Sequence, residues 1–144
     1  MVGGHRGPSI ATIAIASVLV AVAAGVAVAG RGGDASGVPA AVEVLEDTGR
    51  FTTAVEAGDA LAEVGALLQL DARRCRDRDV AGTRDCDGLF AAAAAAQVFA
   101  AHVLGCTAPG RHEARIGLLA HLSELEWAAE EGATRPPPPS PPAC

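Results

Sequence analysis

The sequence predicts an all-α fold. The expected architecture is a small antiparallel bundle of about three long helices, stapled by two disulfides. An apolar signal or transmembrane helix precedes it and a polyproline tail follows. Three observations lead there. Apolar residues recur three or four apart over long stretches rich in alanine, the best helix former. The four cysteines, Cys75, Cys86, Cys106 and Cys144, all lie beyond an N-terminal apolar run, and an even number in a small exported domain reads as disulfides. The stretch RPPPPSPPAC suits polyproline II and nothing else regular.

The first element is residues 1–29. Met1–Ser9 is short and carries one arginine, Arg6. Ile10–Ala29 is apolar apart from Thr12, Ser17 and Gly25. As a helix at about 1.5 Å per residue it spans roughly 30 Å, the thickness of a bilayer core. Ala27-Val28-Ala29 before Gly30 fits a small-x-small cleavage site. The segment is therefore a signal peptide, or an uncleaved anchor that holds residues 10–29 in the membrane. Both readings put the rest of the chain outside the cytoplasm. The lipoprotein cleavage position has no cysteine, so no lipid is expected there. Residues 30–39 (GRGGDASGVP) read as a flexible linker.

Residues 40–131 read as the helical domain. Ala40–Thr48 is a short helix with Val42 and Leu45 on one side, interrupted by Gly49. Phe51–Arg74 is the first long helix, with Phe51, Val55, Leu61, Val64, Leu68 and Ala72 along its apolar face. Gly58 and Gly65, seven residues apart, share one face of it. Glycine in a helix costs up to about 1 kcal/mol against alanine. Close approach of the alanine-rich helix would compensate. Arg76–Asp85 is a charged loop. Asp87 is expected to cap the second long helix, Gly88–Leu104, which buries Leu89, Ala92, Ala96, Phe99 and Val103. Thr107–Gly110 is a tight connection, and the third long helix runs from about Arg111 to Glu131 with Leu118, Leu122, Leu125 and Ala129 on one face. Trp127 falls away from that face. Its expected role is to receive the proline-rich tail, residues 132–144, as the tail returns to the domain.

The disulfide pairing follows by elimination. Cys86 and Cys106 flank opposite ends of one helix, roughly 30 Å apart, whereas a disulfide needs Cα atoms within about 7 Å. If the first two long helices are antiparallel, Cys75 ends one where Cys86 begins the next. That leaves Cys106 for Cys144, the rival being a free Cys144 that links two chains. The tail of 132–144 can reach Cys106, since about 3.1 Å per residue in polyproline II gives roughly 40 Å.

Several chemistries are excluded or disfavoured. The net charge of −6 and 3% aromatic content argue against nucleic acid, which needs a basic face and stacking surfaces. Asp77, Asp79, Asp85 and Asp87 do not fit a calcium loop, because no register places a bidentate glutamate at position twelve and arginines are interleaved. His102 and Cys106 have the four-residue spacing of metal ligands, but Cys75 and Cys86 fall at the other end of the same helix. No metal or cofactor site is expected. No phosphate loop, Gly-x-Ser-x-Gly, CxxC or HExxH occurs, so no catalytic residue is assigned.

A cysteine before the CDGLF stretch, the alanine run, QV, a cysteine followed by TAPG, EAR and a proline-rich end resemble the small exported alanine-rich proteins of actinobacteria. All 11 positive residues are arginine, and lysine, asparagine and tyrosine are missing, as GC-rich coding would give. The resemblance spans roughly residues 50–144. It implies export and brings no activity with it. The expectation is a non-enzymatic exported or membrane-anchored module of the cell envelope that binds an envelope protein or has a structural role. The alternative is an extracytoplasmic carrier of a small ligand or metal.

Overall fold

The structure is a computed structural model and describes residues 37–78 and 85–144. The apolar run 10–29, most of the expected linker and residues 79–84 of the charged loop lie outside the described residues. The described elements are helices, with no strand among them. In chain order they are α1 (Gly37–Glu46), a 3₁₀ turn (Thr48–Phe51), α2 (Ala54–Arg78), α3 (Cys86–His102), a second 3₁₀ turn (Val103–Gly105) and α4 (Ala108–Glu131).

The first helix starts at Gly37, three residues before the expected boundary at 40. Pro39 does not prevent this, because the first turn has no use for its missing N–H. Gly37 is buried against α2, and a Cβ there would stand 2.3 Å from the Leu67 carbonyl oxygen. Only glycine allows that approach. Asp47 then caps the 3₁₀ turn through Gly49 N–H at 3.1 Å.

Thr53 and Glu56 form a capping box ahead of α2. The Thr53 hydroxyl accepts from Glu56 N–H and Glu56 accepts from Thr53 N–H, each at 3.2 Å. This capping fixes the start of α2 at Ala54, not at Phe51. The other end runs past Arg74 to Arg78, so Cys75 lies inside the helix.

For α3 the cap is Asp85, not Asp87: its carboxylate accepts from Gly88 N–H at 2.9 Å. Cys86 is thus in the first turn. Asp87 instead pairs with Arg76 at 3.0 Å, and Arg76 stacks 4.4 Å over the Phe90 ring. At the C-terminal end α3 tightens into the 3₁₀ turn before Cys106. Ala108, Pro109 and Gly110 already belong to α4, again because proline suits a first helical turn. Gly132, at φ 63°, ends α4 in the left-handed region, and its N–H bonds back to Ala128.

Two observations show that α2 and α3 are antiparallel. The Cys75–Cys86 disulfide joins the end of one to the start of the other. Gly58, in the first turns of α2, faces Ala100 and Leu104, while Gly65 faces Gln97. Both helical glycines therefore front the alanine-rich helix, and this is the most intimate helix pair of the domain. Ala57, Ala60, Ala92 and Ala96 are fully buried and keep the backbones close. Leu61, Val64, Leu68, Phe99, Val103 and Leu118 fill the remaining core with α1's Leu45. α1 lies across α2, and α4 closes the other side.

Two arginines of α4 collect carbonyls that the shorter elements leave open. Arg111 donates to Phe51 O at 3.1 Å, Thr52 O at 2.8 Å and Cys106 O at 2.9 Å. Arg115, 8% exposed, donates to Leu45 O at 3.0 Å near the end of α1. A charged donor is strongest where it completes an otherwise unpaired helix terminus.

Beyond Gly132 the chain forms no further helix. Arg135 clasps Asp85 through two bonds of 2.6 Å at the start of α3. Cys144 joins Cys106 beyond the end of α3. Residues 135–144 thus run the length of α3, and Pro136, Pro139 and Pro142 are half-buried while their neighbours are exposed.

Candidate functional site

The cysteines singled out from the sequence meet as two disulfides. Cys75 and Cys86 have Cα atoms 5.6 Å apart, and Cys106 and Cys144 4.7 Å apart. No cysteine among the described residues is free. The first staple closes the α2–α3 hairpin at the end where Asp85 also caps α3. The second fastens the tail where α3 gives way to α4. The two staples therefore hold opposite ends of α3.

Trp127 is 60% exposed, so most of its surface is not covered by the tail. It sits on the same stretch of α4 as the residues that line the main recess of the domain.

That recess lies between α1, the start of α3 and the C-terminal half of α4. Its volume is about 520 Å³, and its apolar lining comes from Val38, Val42, Leu89, Leu122 and Leu125. A second recess of about 450 Å³ shares Val38, Val42 and Leu122 and extends to Leu119. Together they form one apolar groove between α1 and α4. It exists because α4 packs far less closely on α3 than α2 does.

The rim of the groove is acidic. Glu126 and Glu130 of α4 and Asp85 border the first recess, and Glu46 borders the second. Asp85 is already committed. Burial pushes its carboxyl up, but the Arg135 bonds, the Gly88 N–H and the Arg135 charge together hold it below the usual carboxylate value. Arg135 cancels it. Glu46, Glu126 and Glu130 have no ion-pair partner among the described residues.

His121 lies on the inner side of α4, 4% exposed, and its Nε2 has no hydrogen-bond partner. Burial lowers its pKa, against an opposing pull from the Glu124 charge. Burial thus favours the neutral imidazole.

No family model, curated protein or solved structure matches the chain. The groove and the disulfides therefore carry the functional argument unaided. α3 with its 3₁₀ turn, Cys86–Gly105, is long and apolar enough to cross a membrane by composition and length. Its Ala92, Ala96 and Phe99 are instead buried in the core.

The groove was not foreseen from the sequence. By composition Val38 and Pro39 belong to the linker, and Asp85 to the charged loop. The Asp85-x-x-Gly88 spacing before an apolar run was the available signal for the cap. Nothing in the sequence marks how loosely α4 seats.

Proposed function

We propose that the chain is a non-enzymatic helical module of the bacterial cell envelope, exported or membrane-anchored, whose groove binds a partner protein. The carrying observation is the acidic-rimmed apolar groove on a domain stapled at both ends. Two disulfides in a small domain fit an oxidising compartment. Residues 10–29 serve as the signal peptide or membrane anchor in this reading. The absence of catalytic motifs in the sequence supports a binding or structural role. Inward-facing prolines at every third position fit the three-residue period of polyproline II, so the tail acts as a fifth element beside the four helices.

The groove chemistry defines the partner. Apolar walls from α1 and α4 suit an amphipathic segment laid along them. Unpaired carboxylates at the rim suit lysine or arginine flanking that segment. The partner is therefore a basic amphipathic segment of an envelope protein.

The full chain in detergent is titrated with a leucine- and arginine-rich amphipathic peptide, reading fluorescence from Trp127, the only tryptophan. Glu126→Arg/Glu130→Arg reverses the rim on exposed positions that do not support the core. Saturable binding that this variant weakens by about tenfold or more supports the reading. Binding that is absent, or equal in both proteins, overturns it.

A further inference from the structure

Three metal-ligating side chains converge where the tail docks. His102 is in the last turn of α3 and precedes Cys106 by four residues. The tail brings Cys144 to the same corner. One ring nitrogen of His102 and the sulfurs of Cys106 and Cys144 all lie within 4.8 Å of one another. Neither cysteine at the far end of α3 is involved. The second staple supplies the ligand that the His102–Cys106 spacing lacks on its own.

We infer that this corner is a redox-gated site for a thiophilic cation of the Cu(I) or Zn(II) class. While Cys106 and Cys144 are joined, their sulfurs are weak donors and the site is closed. A dithiol opens it by thiol–disulfide exchange. The S–S bond breaks, the dithiol becomes a disulfide, and Cys106 and Cys144 each gain a proton. The cation then displaces those two protons and binds two thiolates and the His102 imidazole. Two soft sulfurs and one imidazole are the donor set that selects such cations over calcium or magnesium.

Other features bear on a site at this corner. Gly110 is buried beside the sulfurs, and a Cβ there would lie 3.0 Å from Cys144 Sγ and 3.4 Å from Cys106 Sγ. Its missing side chain lets both sulfurs pack against the first turn of α4. His102 and Cys144 are exposed, which gives a cation a way in, whereas Cys106 is 6% exposed and anchors the site. Arg135 fixes the far end of the tail at Asp85 independently of the disulfide, so reduction frees only the segment 136–144 that carries Cys144. His102 Nε2 now faces the Pro142 carbonyl, a contact the cation would replace.

The test uses the full chain in detergent, without oxygen, reduced by a phosphine that does not bind these metals strongly. Cys75→Ala/Cys86→Ala removes the competing thiols. Cu(I) and Zn(II) are each titrated against a chromogenic chelator, and the complex is counted by native mass spectrometry. One equivalent of either cation on the reduced protein, none on the oxidised one, and affinity lowered about tenfold or more by His102→Ala support the site. No retained metal, unchanged affinity in His102→Ala, or equal binding by the oxidised protein overturns it. Should Cys75→Ala/Cys86→Ala fail to fold, wild type is compared with Cys106→Ser/Cys144→Ser. Undiminished binding in that variant refutes the proposal, and its loss sustains it.

Discussion

Replacing Cys106 and Cys144 together by alanine removes the staple that closes the longest covalent loop of the domain. The two residues are 38 apart in sequence. In the chain-entropy model a loop of that length stabilises by about 4 kcal/mol, through the freedom the crosslink takes from the unfolded chain. The same relation gives about 3 kcal/mol for Cys75–Cys86, whose separation is 11. A domain of roughly 100 residues loses about 4–5 °C per kcal/mol, so the second staple is worth about 15–20 °C in Tm. The double substitution leaves no unpaired thiol to confuse the comparison. Cys144 is exposed and Arg135 still ties the tail to Asp85, whereas Cys106 is buried in the core, so its truncation adds a small packing loss to the lost crosslink. The assay is a thermal melt by circular dichroism at fixed protein concentration. Helical signal should be retained at 20 °C, with the midpoint lowered by the stated amount and by more than in Cys75→Ala/Cys86→Ala. A fall of less than about 5 °C would show that the tail is not constraining this domain.

Other perturbations have equally definite outcomes. Gly37→Ala puts a methyl 2.3 Å from Leu67 O and 2.8 Å from Asp71 Cβ, so denaturant titration should show a loss of ~1–3 kcal/mol. Gly65→Ala first meets the end of the Gln97 side chain, a flexible group that can turn aside, and should stay within about 1 kcal/mol of wild type; equal losses at the two positions would contradict the α1–α2 packing. His121 has a folded-state pKa below its ordinary 6.5, so the unfolded chain takes up its proton first. Its contribution is complete above about pH 6.5 and is lost as pH falls from there through the lowered folded value. His121→Gln should flatten that slope between about pH 7 and 5, and an unchanged slope would assign it to other groups. A reporter fused after Cys144 should be active only outside the cytoplasm; activity confined to the cytoplasm would reverse the export reading.

Much of the architecture was legible because it rests on local rules. Alanine density and three-to-four spacing gave the long helices. The impossibility of bridging one helix from end to end gave the disulfide partners. Gly58 and Gly65 pointed at α3 because their spacing put them on one face. The element boundaries were harder, since they depend on which of several polar residues reaches an N–H. Asp85 and Asp87 both precede the apolar run; Asp85 is the cap because its carboxylate reaches Gly88 N–H, while Arg76 draws Asp87 aside. Thr53-x-x-Glu56 was readable as a capping box. The start of α1 was not, because Gly37 is helical only through its close approach to α2, a tertiary effect. The groove is likewise a property of how α4 seats on α1 and α3. The corner of His102, Cys106 and Cys144 needed the tail's route before its third ligand came into view.

The most direct test of the stapled, extracytoplasmic domain is non-reducing peptide mapping of the protein from its native cells, after free thiols are blocked in the intact culture. The predicted result is two crosslinked peptide pairs within one chain, Cys75–Cys86 and Cys106–Cys144, with no blocked cysteine. Blocked Cys106 and Cys144, or a Cys144–Cys144 link between two chains, would contradict it.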